Sequence, residues 1–299
     1  PWSVACDLHP GYRSTRLAVE LAERWDVPLI RVQHHHAHVA ACMAEHGVTG
    51  EVLGIAWDGA GYGVDGSLWG GEFLLATYGK SERVAHLHPF RLPGGEQAAR
   101  EPRRAELAVR WETFGAQDCL AAVKEGTEWR VQAQLVVAML AKQIQSPATT
   151  SMGRLFDAVA SMLGLCQVAS FEGQAAMALE QEAMKATVSV RGKDEAYPIP
   201  LIAREDEPQR CVADWRPMIH LLTDDLSRGT ERSRIAHRFH RSLADLIGQA
   251  TERVGVRQVV LTGGCFQNVL LADLARERLE SAGFVAFTHR EVPSNDGGL

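Results

Sequence analysis

The sequence predicts an α/β fold with largely parallel sheets, on three observations. Short apolar runs alternate with stretches of helical periodicity along the chain. Two glycine-bearing turns follow directly on apolar strands: Trp57-Asp58-Gly59-Ala60-Gly61-Tyr62-Gly63, and Thr262-Gly263-Gly264 after Val259-Val260-Leu261. Hydrophobic residues make up 46% of the 299, enough to core one large domain or two lobes.

The elements follow in order. A strand at 4–6 leads into a helix around 14–25. A strand at 28–32 precedes a helix over 32–43, which is rich in alanine and ends before Gly47. Residues 52–57 form a strand ending in the glycine-rich turn, and 67–75 return as another. Leu92-Pro93-Gly94-Gly95 breaks the pattern, and helices dominate from about 97 to 192. Residues 194–217, proline-bearing and highly charged, read as a surface loop or short hairpin. A long helix covers 232–254, a strand 258–262, a helix continues to about 281, and a strand covers 284–288. There is no internal repeat. The break at 92–95 is the expected lobe boundary, giving a first lobe at 1–92, a second at 93–290, and a segment at 291–299 returning to the first.

Composition narrows the function classes. The net charge of −6 and dispersed basic residues give no electrostatic footprint for nucleic acid. The six cysteines are isolated, with no C-x-x-C pair, which argues against a zinc knuckle or disulfide framework and for a reducing compartment. No apolar run approaches the ~20 residues that span a bilayer. The expectation is a cytoplasmic protein with no membrane partner. The termini read as cut, since Val4-Ala5-Cys6 follows the first residue closely and Gly297-Gly298-Leu299 reads as the start of a helix.

Gln33-His34-His35-His36-Ala37-His38 is the densest chemical signal. His34 and His38 stand at i and i+4, so on a helix their imidazoles share a face and suit one metal ion. Such a pair needs oxygen or sulfur ligands from elsewhere. Asp296, after a strand and Pro293, is a carboxylate of the kind required, although an N-cap would explain it equally. The segment 57–63 reads as a β-hairpin whose glycines supply positive φ, or as a loop offering N–H groups to phosphate, with Asp58 facing a cleft. Thr262-Gly263-Gly264 opening a helix reads as a phosphate turn or a plain tight connection; no Gly-Lys-Ser/Thr follows, so it is not a Walker loop. In Ser151-Met152-Gly153-Arg154-Leu155-Phe156-Asp157 the stripe Leu155, Val159, Met162 is core, while Asp157 lies off it, placed to accept from ribose hydroxyls. Ser170-Phe171-Glu172-Gly173-Gln174 leads into another helix, where capping alone would explain it. The remaining histidines, His240 among them, read as surface or satisfied core residues.

Taken in order, these motifs resemble the C-terminal domain of the hydrogenase-maturation carbamoyltransferase family, HypF. The resemblance runs through Asp7-Leu8-His9-Pro10-Gly11-Tyr12, His34 to His38, Trp57-Asp58-Gly59, Leu92-Pro93-Gly94-Gly95, Gly153 to Asp157, Glu172-Gly173-Gln174, Gly263-Gly264 with Asn268, and Asp296-Gly297-Gly298. It covers essentially the whole chain. It implies the two-lobed actin/Hsp70-like (ASKHA, RNase H-like) α/β fold, with nucleotide and metal in the cleft between the lobes. His34, His38, Asp58 and Asp296 would hold one divalent metal, Fe2+ or Zn2+, with Mn2+ and Mg2+ left open; Asp58, His34 and His38 would serve catalysis. Gly263, Gly264 and Asn268 would meet the phosphates of ATP or AMP, and Gly59, Gly153, Asp157, Glu172 and Gly173 would surround the nucleotide. The resemblance further implies carbamoyl-adenylate as substrate, made by an upstream adenylate-forming domain beside an acylphosphatase-like one. The C-terminal cysteine of a partner, HypE, would be the acceptor, on the way to the cyanide ligands of nickel-iron hydrogenase. Two other readings remain: a tRNA threonylcarbamoyl-transferase-like enzyme, which the acidic balance disfavours, and a nucleotide-gated binding module without chemistry.

Overall fold

The stretch Val52–Tyr62 shows why the molecule is layered. Leu53, Ile55 and Trp57 enter one hydrophobic core, and Val52 and Ala56 enter another. A strand buried on both faces needs cover from both sides, and helices provide it.

The computed structural model describes residues 1–186 and 196–299. The first half holds β1 (Val4–Asp7), α1 (Arg13–Trp25), β2 (Leu29–Val32), α2 (His34–Glu45), β3 (Val52–Tyr62), β4 (Leu68–Ala76), β5 (Ser81–Leu87), β6 (Phe90–Arg91), α3 (Glu96–Arg100), α4 (Pro102–Phe114), α5 (Ala116–Ala121) and α6 (Glu128–Lys142). Then come β7 (Ala148–Thr149), α7 (Met152–Met162), α8 (Gln174–Met184), β8 (Leu201–Ala203), β9 (Cys211–Ala213), α9 (Arg216–Ser227), α10 (Arg232–Val254), β10 (Gln258–Thr262), α11 (Val269–Ser281) and β11 (Val285–Thr288).

The main sheet runs β11-β10-β3-β4-β5-β9-β8, with β7 pairing with β4 and β6 with β7. α2 covers one face, its Val39, Cys42 and Met43 packing with Val52, Ala56 and Val260. α7 and α10 cover the other, where Leu155, Val159, Phe239 and Leu243 meet Leu53, Ile55 and Trp57. β1 and β2 form a separate parallel pair, Val4 opposite Leu29, with α1 against it.

Four expectations need correction or refinement. The main sheet is mixed, not largely parallel: β3, β4 and β5 form an antiparallel meander, to which β10 and β9 add in parallel. The connections at 63–67 and 77–80 are too short for a parallel crossover. The glycine-rich segment after Trp57 is no hairpin turn either. β3 continues through it with a bulge between Trp57 and Gly61, and the chain turns at 63–67, where Gly63 N donates to Ser67 O at 2.9 Å. Strands before and after 92–95 lie in one sheet, so that break does not separate two sheets; the pair β1–β2 is the part that stands apart. Residues 201–213 form the short hairpin β8–β9, and α8 ends at Met184. The helical expectation over 187–192 and the loop expectation at 194–195 lie outside the described residues. No described helix is long and apolar enough to cross a membrane.

Candidate metal and nucleotide site

α2 starts cleanly because Gln33, in extended conformation, caps it: its side chain accepts from His36 N at 2.9 Å. One turn later His38 stands over His34, with ring centroids 4.8 Å apart. Glycines let the helix approach β3. A Cβ on Gly54 would lie 2.3 Å from Val39 Cγ2, and one on Gly61 would lie 2.6 Å from His35 Cε1 and 2.7 Å from His34 Cδ2. Gly61 therefore serves close packing in a strand rather than turn geometry.

Asp58 stands at the bulge. Its Oδ1 accepts from Gly59 N at 2.7 Å and Gly264 N at 3.3 Å. That leaves Oδ2 turned to His34 Nε2 at 3.4 Å and His38 Nε2 at 3.2 Å. Asp296 arrives from the far end of the chain, and its Oδ1 lies 3.4 Å and 3.3 Å from the same two nitrogens. Two clasps hold the incoming segment. Glu45 at the end of α2 accepts from Arg290 N and Glu291 N, and Ser294 O accepts from Gly263 N at 2.9 Å.

His34, His38, Asp58 and Asp296 thus each present a ligand atom, all within 4.8 Å of one another. The donor set fits a cation. His34 Nε2, His38 Nε2 and Asp58 Oδ2 are buried without a hydrogen-bond partner, which is costly unless something else satisfies them. Ligand atoms about 2.0–2.1 Å from one tetrahedral ion stand about 3.3–3.4 Å apart, close to the four nitrogen–oxygen separations here. The electrostatics point the same way. Burial lowers the basicity of His34, but the carboxylates of Asp296 and Asp58 more than offset it and raise its pKa to about 10. His38 is raised by the same carboxylates against its burial. Burial pushes Asp58 up, yet the two imidazoles hold it well below the usual carboxylate range, and they do the same for Asp296. His35, by contrast, is lowered to about 3 by burial and stays neutral.

The glycine turn adjoins this cluster. Gly263 has φ +96°, and a Cβ there would meet the Trp57 carbonyl at 2.3 Å; one on Gly264 would meet Asp58 Oδ1 at 2.9 Å. Asn268 is already spent inside the protein: Oδ1 caps α11 by accepting from Leu271 N at 2.8 Å, and Nδ2 bonds His240 Nε2 at 2.9 Å. Burial lowers His240 to about 4, keeping it a neutral acceptor.

Across the turn, α7 begins against the bulge. Ser151 Oγ accepts from Arg154 N and donates to Gly59 O, and a Cβ on Gly153 would lie 3.0 Å from Gly59 Cα. Arg154 Nη2 and Glu172 Oε1 flank Gly59, 3.7 Å and 3.8 Å from where its Cβ would sit. Asp157 is buried; its Oδ2 lies 2.7 Å from Arg154 Nη1, off the hydrogen-bonding axis. Burial raises it to about 6 despite Arg154, with Glu172 adding to the rise. Gly173, at φ +78°, supplies the left-handed residue that starts α8. Cys265 lies within electrostatic reach of both Asp58 and Asp157, so the turn bridges the two groups; burial keeps its thiol protonated.

The structure thus brings His34, His38, Asp58 and Asp296 together, places Gly263 and Gly264 beside them, and sets Gly59, Gly153, Asp157 and Glu172 around the next space. Three residues had no role in the sequence reading. Arg154, only 8% exposed, is the buried cation among these carboxylates. Asp7 bonds His34, and Tyr12 has its phenol raised by burial and by Asp7, Asp296 and Asp58. All three lie in motifs quoted above, where nothing local marks them out.

Comparison with known proteins gives the family and the fold. Residues 54–299 match the family described as "Carbamoyltransferase, Kae1-like Domain, second subdomain", and residues 1–45 match the "HypF Kae1-like domain". Carbamoyltransferase HypF of Synechocystis is 42% identical over 313 residues, covering all of this chain and 39% of the relative. A carbamoyltransferase HypF homolog of Cupriavidus necator is 37% identical over 308 residues, covering 99% of this chain and 75% of the relative. Among solved structures, full-length HypF in its phosphate- and nucleotide-bound form superposes with a TM-score of 0.87 at 37% identity, over all of this chain and 45% of that one. The chain spans about two fifths of the length of the Synechocystis relative.

Proposed function

The chain belongs to the HypF carbamoyltransferase family and has its Kae1-like α/β fold, and from that premise we propose that it is the carbamoyl-transferring domain of a longer cytoplasmic protein. Its substrate would be carbamoyl-adenylate made by the upstream domains, and its acceptor the C-terminal cysteine thiol of HypE. The observation that carries the reading is the convergence of two imidazoles and two carboxylates beside a glycine turn.

His34, His38, Asp58 and Asp296 would hold one divalent metal, and the donor set suits Fe2+ or Zn2+. Bound there, the metal would supply positive charge to polarise the acyl carbonyl and offset the charge on departing AMP. The protein's own part is placement. Gly263 and Gly264 let the turn close on β3, since a Cβ on either would run into Trp57 or Asp58, and Asn268 shapes that turn as the cap of α11. Arg154 brings a guanidinium to a pocket otherwise lined by carboxylates, while Asp157 and Glu172 stand ready for ribose hydroxyls. The partner's thiolate attacks the carbamoyl carbon; a carbon–sulfur bond forms, the bond to the phosphate oxygen breaks, and AMP leaves with the electron pair. No nucleophile is needed from this chain, in accord with the protonated Cys265.

The test uses the intact protein with its partner. His34→Ala and Asp58→Ala should each lower loading of the partner cysteine by about 100-fold or more, with bound metal lost and nucleotide still held. Loading at the wild-type rate in either variant would defeat the catalytic reading. Nucleotide binding with no transfer in the wild type would favour a binding module, and transfer to tRNA instead would favour the tRNA-modifying alternative.

A further inference from the structure

Asp7 ends β1, in the two-stranded sheet that stands apart from the main one. Its Oδ2 lies 2.9 Å from His34 Nδ1, and its Oδ1 accepts from His9 N at 2.7 Å. Both oxygens are therefore engaged, and the side chain is only 16% exposed. The loop that follows is built to keep it so. Gly11 N donates to His9 Nδ1 at 3.0 Å, and the His9 ring stacks on Tyr12 with centroids 4.3 Å apart. Thr15 Oγ1 donates to the Asp7 carbonyl.

An ionised carboxylate can only accept, so in this contact His34 Nδ1 carries the hydrogen. His34 is 4% exposed, so its ring cannot swing out and exchange the two nitrogens without breaking the packing around it. Nε2 is then the nitrogen left facing Asp58 Oδ2 and Asp296 Oδ1. Metal-bound histidines commonly donate their second nitrogen to a carboxylate in this manner, and removing such a partner weakens the site about 10- to 100-fold.

We propose that Asp7 is a positioning residue of this site: it fixes the ring and tautomer of His34 so that Nε2 is presented to a divalent cation. Its observed contacts are with His34, His9 and Thr15. The proposal rests on the metal reading of the four-residue cluster, yet the Asp7–His34 bond can be measured without metal.

Two readouts on the full chain decide it. In the metal-free protein, 15N-edited spectra should show the His34 Nδ1–H held in a hydrogen bond and slow to exchange, and Asp7→Ala should abolish that signal. Zn2+ competition against a chromophoric chelator should show Asp7→Ala weaker by about 10- to 100-fold, with nucleotide affinity unchanged. Asp7→Asn has the same shape but turns one acceptor oxygen into an NH2 donor, so it keeps the bond to His34 Nδ1 only by giving up His9 N; its loss should be no greater than that of alanine, and it also serves if the alanine variant does not fold. An unchanged Nδ1–H signal, or wild-type Zn2+ affinity in both variants, overturns the proposal. A wild type that binds no Zn2+ would defeat the metal reading instead, and the Nδ1–H signal would still show whether Asp7 holds the ring.

Discussion

The two halves of the site are prepared in opposite ways. On the histidine side, three buried polar atoms face one point with no partner among themselves. On the glycine-turn side, Asn268 caps a helix and bonds His240 and Gly264 N–H goes to Asp58, so that only Asp157 Oδ2, beside Arg154, is left without a hydrogen bond among these groups. One half is a set of side-chain ligand atoms that converge on one point; the other is a glycine turn held close to β3, with Arg154, Asp157 and Glu172 beyond it. A cation can be specified by a few ligand atoms held close together.

Three substitutions would break or sharpen that contrast. Asp157 carries the largest expected effect. Its pKa is raised from 3.8 to about 6, so the folded state holds the proton more tightly than the unfolded one. The resulting stability is complete below pH 3.8 and is lost as pH rises through about 6, an amount of about 3 kcal/mol by linkage. Denaturant titrations of the wild type should therefore show a falling contribution across that window, and Asp157→Asn should remove it. Parallel curves for the two proteins would mean that Arg154 holds Asp157 ionised throughout.

Gly61→Ala comes next. The new Cβ would press on His35 and on a His34 ring already tied to Asp7, costing about 1–3 kcal/mol in stability. Calorimetry should record weaker metal binding with nucleotide affinity intact; equal affinity for metal would show that the rings can yield, and the histidine side would lose its claim to rigidity. The smallest effect is that of Asn268→Ala, where loss of the cap should lower stability by about 1 kcal/mol with little change in AMP binding. A large fall in AMP binding at unchanged stability would make Asn268 a phosphate ligand after all.

Legibility followed the range of the interactions. α10 was readable to its termini because its apolar period and its C-terminal Gly255 are local signals. The strand–glycine–helix order around Gly263 was likewise local. The bulge was not: Trp57 to Gly63 has turn composition, and only the packing of α2 on β3 explains why glycines occupy a strand there. The proposed break at 92–95 was a true change of element type, yet hydrogen bonding joins β3 to β10 across about two hundred residues. Arg154 and Asp7 were named in motifs but given no role, because a buried arginine and a carboxylate behind a histidine look like any surface charge in one dimension.

By itself the amino-acid order determined the longer helices, the strands at 52–57 and 258–262, and the shared face of His34 and His38, since each depends on neighbours within a turn or two. Only the tertiary structure decided that Asp58 and Asp296 reach those imidazoles, that the sheet is mixed, and that Asp7 stands behind His34. These depend on which strand pairs with which and on glycine-permitted approach between distant segments, and neither leaves a periodic trace in the chain.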